Sequence, residues 1–304
     1  RFTAFLMFKS LIRTFAIVAA FIAGYMMPGL HVYSWMFKWM LIVMLFVTFL
    51  GIRFKRMKPE RAHWLLTGAN LMVALAAWGV CRLVFGDGYL AQAAFFVGIM
   101  PTATAAPVVM GLLGGSVEFM LTALLLINGI ICALLPFILP AVVGRGGFEI
   151  YLNVAQNISL VMLLPLALAL AARRFYPRAI AWPRKLKDVT FGIWVVILVL
   201  IAANASYDIS SREGISERVL EQIGVIALLV CGVNFGLGYL LGGRTRAAEC
   251  SQALGQKNTT LSIYLALTYA SPIAALGPTF YVLWHNLWNA WQLYRASERK
   301  RRDG

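Results

Sequence analysis

Ten apolar windows, each about the 20 residues a helix needs to cross a bilayer, constrain this chain more than any other feature. They fall at roughly 12–29, 33–52, 64–85, 90–113, 117–140, 150–172, 189–206, 219–241, 247–270 and 273–294. A spanning segment in lipid must satisfy its own backbone N–H and C=O groups, so windows of this length are expected to be helical. The chain is 61% hydrophobic and only 13% charged over 304 residues, which leaves too little polar surface for a soluble domain. The sequence predicts an all-α membrane protein with ten transmembrane helices. The first window is read as a mature spanning helix, since it is long for a signal peptide and lacks a small-residue cleavage site.

An even number of spans puts both termini on one side. Twenty-one of the 27 lysines and arginines then fall on that side, among them Arg1, Lys9, Arg13, Arg53, Lys55 and Arg56. The other side has Arg145, Arg212 and Arg218 in loops, with Lys38 and Arg82 near helix ends. The positive-inside rule places both termini in the cytoplasm. The net charge of +15 is thus read as orienting the chain in a membrane rather than as a nucleic-acid surface, for which a basic stripe and a stacking platform are missing.

Several classes of chemistry find no support in the sequence. Cys81, Cys132, Cys231 and Cys250 form no CxxC or Cys/His spacing, so neither a disulfide framework nor a metal site is expected. No GxSxG or HExxH motif is present, and no carboxylate pair sits at midplane depth. Glu118 and Glu249 lie close to the cytoplasmic boundary. The chain is read as no enzyme, without a cofactor.

Five spans in each half suggest two inverted repeats, 1–145 and 146–304, because an odd number of spans flips the second copy. Each half carries an interruption in its fourth span. Span four reads GIMPTATAAPVVMGLL, with Pro101 and Pro107 inside the apolar run, and span nine reads CSQALGQKNTTLSIYLAL. Paired interruptions at matching positions point to a transport site built from broken helices; a kinked but continuous helix is the alternative for each. Where a helix restarts in the membrane, its N-terminus presents free N–H groups and a positive dipole, which favour an anion. Thr104 and Asn258 are residue types that can cap such a restart or turn to a ligand.

Lys257 lies about ten residues into span nine, roughly 15 Å from the membrane edge, too deep for its stem to reach the surface. A charge there faces an internal cavity, or else is a structural lysine bonded to the carbonyls of the neighbouring broken helix. In the last span His285, Asn286 and Asn289 are polar among apolar neighbours and are expected to face the interior, as ligand contacts or as helix-to-helix hydrogen bonds.

Three stretches resemble the bile acid:sodium symporter family. Pro101-Thr102-Ala103-Thr104-Ala105-Ala106-Pro107-Val108 resembles that family's P-G-G-T-A-S-N-V, Gly255-Gln256-Lys257-Asn258-Thr259-Thr260-Leu261 resembles its E-V-G-M-Q-N-S-G-L from the glycine onward, and Trp284-His285-Asn286 resembles its W-H-N. The resemblance implies a panel of spans 1, 2, 6 and 7, and a core of spans 3–5 and 8–10 in which spans four and nine cross. It also implies organic-anion substrates, bile salts or smaller acids such as pantoate, held between panel and core, and a bacterial inner-membrane location. The positions that resemble sodium ligands read Ala106, Pro107, Ala253 and Lys257 here, and the hydroxyl ligands of span five fall on Met120 and Leu124. A hard cation needs several oxygens.

The reading is a sodium-independent secondary transporter of a small organic anion. Thr102, Thr104, Asn258, Thr259, His285 and Asn286 are its candidate substrate contacts, and Lys257 is an internal cation in place of sodium. The alternatives are a sodium- or proton-coupled symporter of the same family and a membrane sensor that does not transport.

Overall fold

Alternation of long apolar runs with short basic or glycine-containing connections produces a chain built from helices. The computed structural model describes residues 15–302 except 17, 53–56, 87 and 212–216. Arg1, Lys9, Arg13, Arg53, Lys55, Arg56 and Arg212 therefore lie outside the described residues.

Helix α1 covers residues 18–26. It is followed by α2 (Met36–Leu50), α3 (Arg61–Phe85), α4 (Tyr89–Ile99), α5 (Ala106–Leu113), α6 (Val117–Val142) and α7 (Phe148–Phe175). The second half holds the short α8 (Trp182–Lys185), then α9 (Lys187–Ser211), α10 (Glu217–Gly255), α11 (Thr259–Tyr269) and α12 (Pro272–Arg302). Among the described residues there is no strand, only one isolated antiparallel bridge.

Five of these helices, α3, α6, α7, α9 and α10, are long and apolar enough to cross a membrane. The other windows are met by shorter or more polar pieces. Helix α2 has 15 residues, the fourth window is divided between α4 and α5, and the ninth between the end of α10 and α11. Helix α10 is itself a hairpin: backbone angles at Gly243 and Arg246 leave the helical region, and Ser251 in the second arm donates to the Phe235 carbonyl in the first at 2.8 Å. Gly238 makes the close approach of the arms possible, since a Cβ there would lie 2.8 Å from Ser251 Cα.

Local chemistry explains where the helices start. The Ser116 hydroxyl accepts from Phe119 N at 3.2 Å and caps α6, with Glu118 in the first turn where the dipole favours an anion. Glu60 and His63 form a reciprocal capping box at α3.

The polarity pattern suits lipid. Leu83, Phe175 and Phe148 are 80–88% exposed on the outer surface. Asn70, Thr102, Asn128, Asn234, Gln252, Gln256 and Lys257 are buried inside. In water such an outer surface would be costly, whereas in a bilayer it is solvated by acyl chains. Helices α3, α4, α10, α11 and α12 pack together around the buried polar groups, while α2 packs on α7 and α9.

Candidate functional site at the helix crossing

Helix α4 ends where proline follows. Met100 takes an extended ψ of 127°, as expected of a residue before proline, and Pro101 has no N–H with which to continue the ladder. The chain is extended at Thr102, turns at Thr104 and Ala105, and restarts as α5 with Pro107 in its first turn. In the second half α10 stops at Gly255, and Asn258 restarts the chain as α11 by accepting from Leu261 N through its side chain.

The two breaks meet. Thr102 and Lys257 form an antiparallel bridge, flanked by Ala103 N donating to Gln256 O at 2.8 Å and Asn258 N donating to Pro101 O at 2.7 Å. These bonds give both extended segments backbone partners that neither helix could supply.

The carbonyls orphaned at the two helix ends are met by side chains from the opposite half or from neighbouring helices. For α10, the Thr102 hydroxyl donates to Ala253 O at 2.8 Å and the Tyr281 hydroxyl to Gly255 O at 2.7 Å. For α4, Ser262 donates to Phe96 O at 2.7 Å and Asn70 Nδ2 to Ile99 O at 3.2 Å. Asn128 of α6 donates to Thr102 O at 2.9 Å.

The Lys257 ammonium closes this set. It donates to Asn70 Oδ1 and, at 3.5 Å, to Gly98 O in the last turn of α4. The side chain is 1% exposed, and among the described residues no carboxylate pairs with it. A cation there meets the negative end of the α4 dipole. Gly98 lets α4 come close enough to α3 for Asn70 to reach both groups, because a Cβ at Gly98 would lie 2.9 Å from the Ala74 backbone nitrogen.

The crossing brings together Thr102, Lys257 and Asn258. Thr102 is fully buried with its hydroxyl committed to Ala253 O. Asn258 keeps a buried Nδ2 without a partner, Thr259 is buried in the first turn of α11, and Thr104 is half-buried in the first break. His285 is buried with its ring edge-on to Tyr281, centroids 5.5 Å apart, and its Nδ1 has no partner. Asn286 bonds back to Val282 O of its own helix.

Asn289 accepts from Gln252 Nε2 at 2.8 Å and so joins α12 to α10. Tyr281, Asn128 and Asn70 are the partners that sequence reasoning left unassigned; the signal each gave was a lone polar side chain inside an apolar window.

A sodium ion does not fit the residues at the positions that resemble its ligands. Ala106, Pro107, Met120, Leu124 and Ala253 are buried and bring no side-chain oxygen, and the Ala253 carbonyl already accepts from Thr102. No protein-family profile matches this chain, and no curated protein matches it in sequence.

Proposed function

We propose that this chain is a sodium-independent secondary transporter of a small organic anion, with ten spans in two inverted five-helix repeats and Lys257 in the place of a coupling cation. The observation that carries the reading is the buried Lys257 ammonium at the meeting point of two broken helices, with no carboxylate as counter-charge among the described residues. An uncompensated charge near the middle of a membrane is costly, and broken helices at matching positions are the architecture that transporters use for a central site.

Helices α5 and α11 start within a few residues of the bridge, and their N-termini favour a carboxylate. Thr104, Asn258 and Thr259 are the side chains at those starts. Asn258 Nδ2, a buried donor with no protein partner, is the group best suited to a substrate oxygen. Thr102, with its hydroxyl bonded to Ala253 O, holds the crossing together. In this reading the helices that carry the crossing move against those of the panel in a bacterial inner membrane, with both termini cytoplasmic, an orientation that the positive-inside distribution supports.

Uptake of labelled pantoate and cholate into proteoliposomes, with sodium, proton and counter-substrate gradients imposed one at a time, tests the proposal. Uptake or exchange that ignores sodium supports it, and strict dependence on sodium overturns it. Thermal stabilisation by these acids without any flux would instead indicate a sensor.

A further inference from the structure

A second cation lies inside the apolar region, away from the crossing. Lys38 is the third residue of α2, and its ammonium donates to Asn157 Oδ1 of α7 at 2.9 Å. Asn157 is nine residues beyond Phe148, about 13 Å along α7 at 1.5 Å per residue. With the 28 residues of α7, about 42 Å, centred on a roughly 30 Å hydrocarbon core, the Lys38 ammonium sits about 7 Å below the membrane boundary. A lysine near a helix end would ordinarily extend its stem to the headgroups, but this one is held at the depth of Asn157.

The hydrogen bonds around it leave donors over. Asn157 Nδ2 donates to Asn153 Oδ1 at 3.0 Å, and the Tyr269 hydroxyl at the end of α11 donates to the same Asn153 oxygen at 3.1 Å. Both amide oxygens are thus used. The ammonium has three N–H donors, of which Asn157 takes one, and among the described residues the exposed Asn153 Nδ2 has no partner. Among the described residues Lys38 has no carboxylate partner. A charged, donor-rich group at this depth calls for an acceptor that carries one negative charge.

We propose that Lys38, Asn153, Asn157 and Tyr269 form a binding site for the carboxylate of a singly charged organic acid. This deepens the proposed function and rests on it for the role of the site in transport. Tyr269 ends the helix that begins at the crossing, and the 11 residues of α11 separate the two places by about 16 Å. The site therefore either receives the acid on its way to the crossing or anchors the charged end of a long one. A single ammonium among neutral amides and a phenol matches one negative charge and leaves a second unpaired, which selects monocarboxylates over dicarboxylates.

The test is thermal unfolding of the full chain in nanodiscs, with pantoate, hexanoate and cholate as monocarboxylates. Pantolactone and hexanamide serve as neutral counterparts, and sulfate and inorganic phosphate as other anions. The wild type and Lys38→Arg should be stabilised by at least one of the carboxylates and by none of the neutral compounds. Lys38→Met should melt near the wild-type temperature and require at least tenfold more of that carboxylate. Wild-type affinity in Lys38→Met, equal stabilisation by phosphate or sulfate, or no stabilisation of the wild type by any of the three acids overturns the site. Uptake of pantoate separates this from the transport reading: carboxylate binding that needs Lys38, without any uptake, upholds the site and removes the transport reading. Uptake by the wild type, with both uptake and carboxylate binding unchanged in Lys38→Met, does the reverse.

Discussion

Thr102 and Lys257, from opposite halves of the chain, stand across from one another as an antiparallel pair, and their side chains each bond to a carbonyl of the other's broken helix. The Thr102 hydroxyl reaches Ala253 O of α10, and the Lys257 ammonium reaches Gly98 O of α4. The crossing is therefore reciprocal: each break supplies the group that satisfies the end of the other helix. A helix broken in the membrane exposes backbone groups that lipid cannot solvate, and this exchange removes the penalty at both breaks together.

Replacing Lys257 by Met sets two effects against each other. It relieves the burial of a charge, worth several kcal/mol, and leaves Asn70 Oδ1 and Gly98 O without their donor, at about 1–3 kcal/mol each. The near cancellation predicts a melting temperature within a few degrees of wild type, together with loss of uptake. A variant that keeps wild-type uptake would show that the ammonium has no part in transport.

Asn70→Ala has no such compensation. It removes both the Lys257 partner and the donor to Ile99 O while the charge stays buried. The expected loss is roughly 3 kcal/mol, the cost of stripping a buried charge of its main partner. Thermal unfolding in nanodiscs should show a large drop, greater than that of Lys257→Met.

Thr102→Val keeps the shape of the side chain and deletes only its hydroxyl, leaving Ala253 O unpaired. A loss of about 1–2 kcal/mol is expected. Because Thr102 has no exposed surface, the dissociation constant of any stabilising acid should change less than twofold, measured on the folded fraction.

Gly98→Ala drives a Cβ against the backbone of Ala74, which cannot move aside as a flexible side-chain end would. Overpacking of this kind costs about 1–3 kcal/mol. It should also push Gly98 O and Asn70 apart, so both the melting temperature and uptake are expected to fall. Gly79→Ala on the neighbouring α3, where an added Cβ would meet nothing within 4 Å, is the control.

The placement of the breaks was legible in the sequence because Pro101 and Pro107 fall close together in one apolar window and because Gly255 and Asn258, both poor helix formers, bracket a polar pair in another. The apolar windows likewise located most helices, including the return of the chain near Gly243. The crossing of the two broken spans was an expectation of the family resemblance, but their residue-by-residue pairing was not legible. It depends on backbone bonds between residues from different halves of the chain, and no local pattern specifies which distant segment supplies them. Asn70, Asn128 and Tyr281 announced only that they needed partners. Their partners are main-chain carbonyls, which every residue carries and no sequence distinguishes. Lys38 was assigned to a helix end by its position near the start of the second apolar window, and its bond to Asn157 became visible only once α2 and α7 lay side by side.

The most direct test of Lys257 in the role of a coupling cation is the initial rate of pantoate or cholate uptake by wild-type proteoliposomes, measured with sodium and then with sodium replaced by choline. Equal rates in the two media, with uptake lost in Lys257→Met, are predicted. Uptake that requires sodium in the wild type would contradict the account.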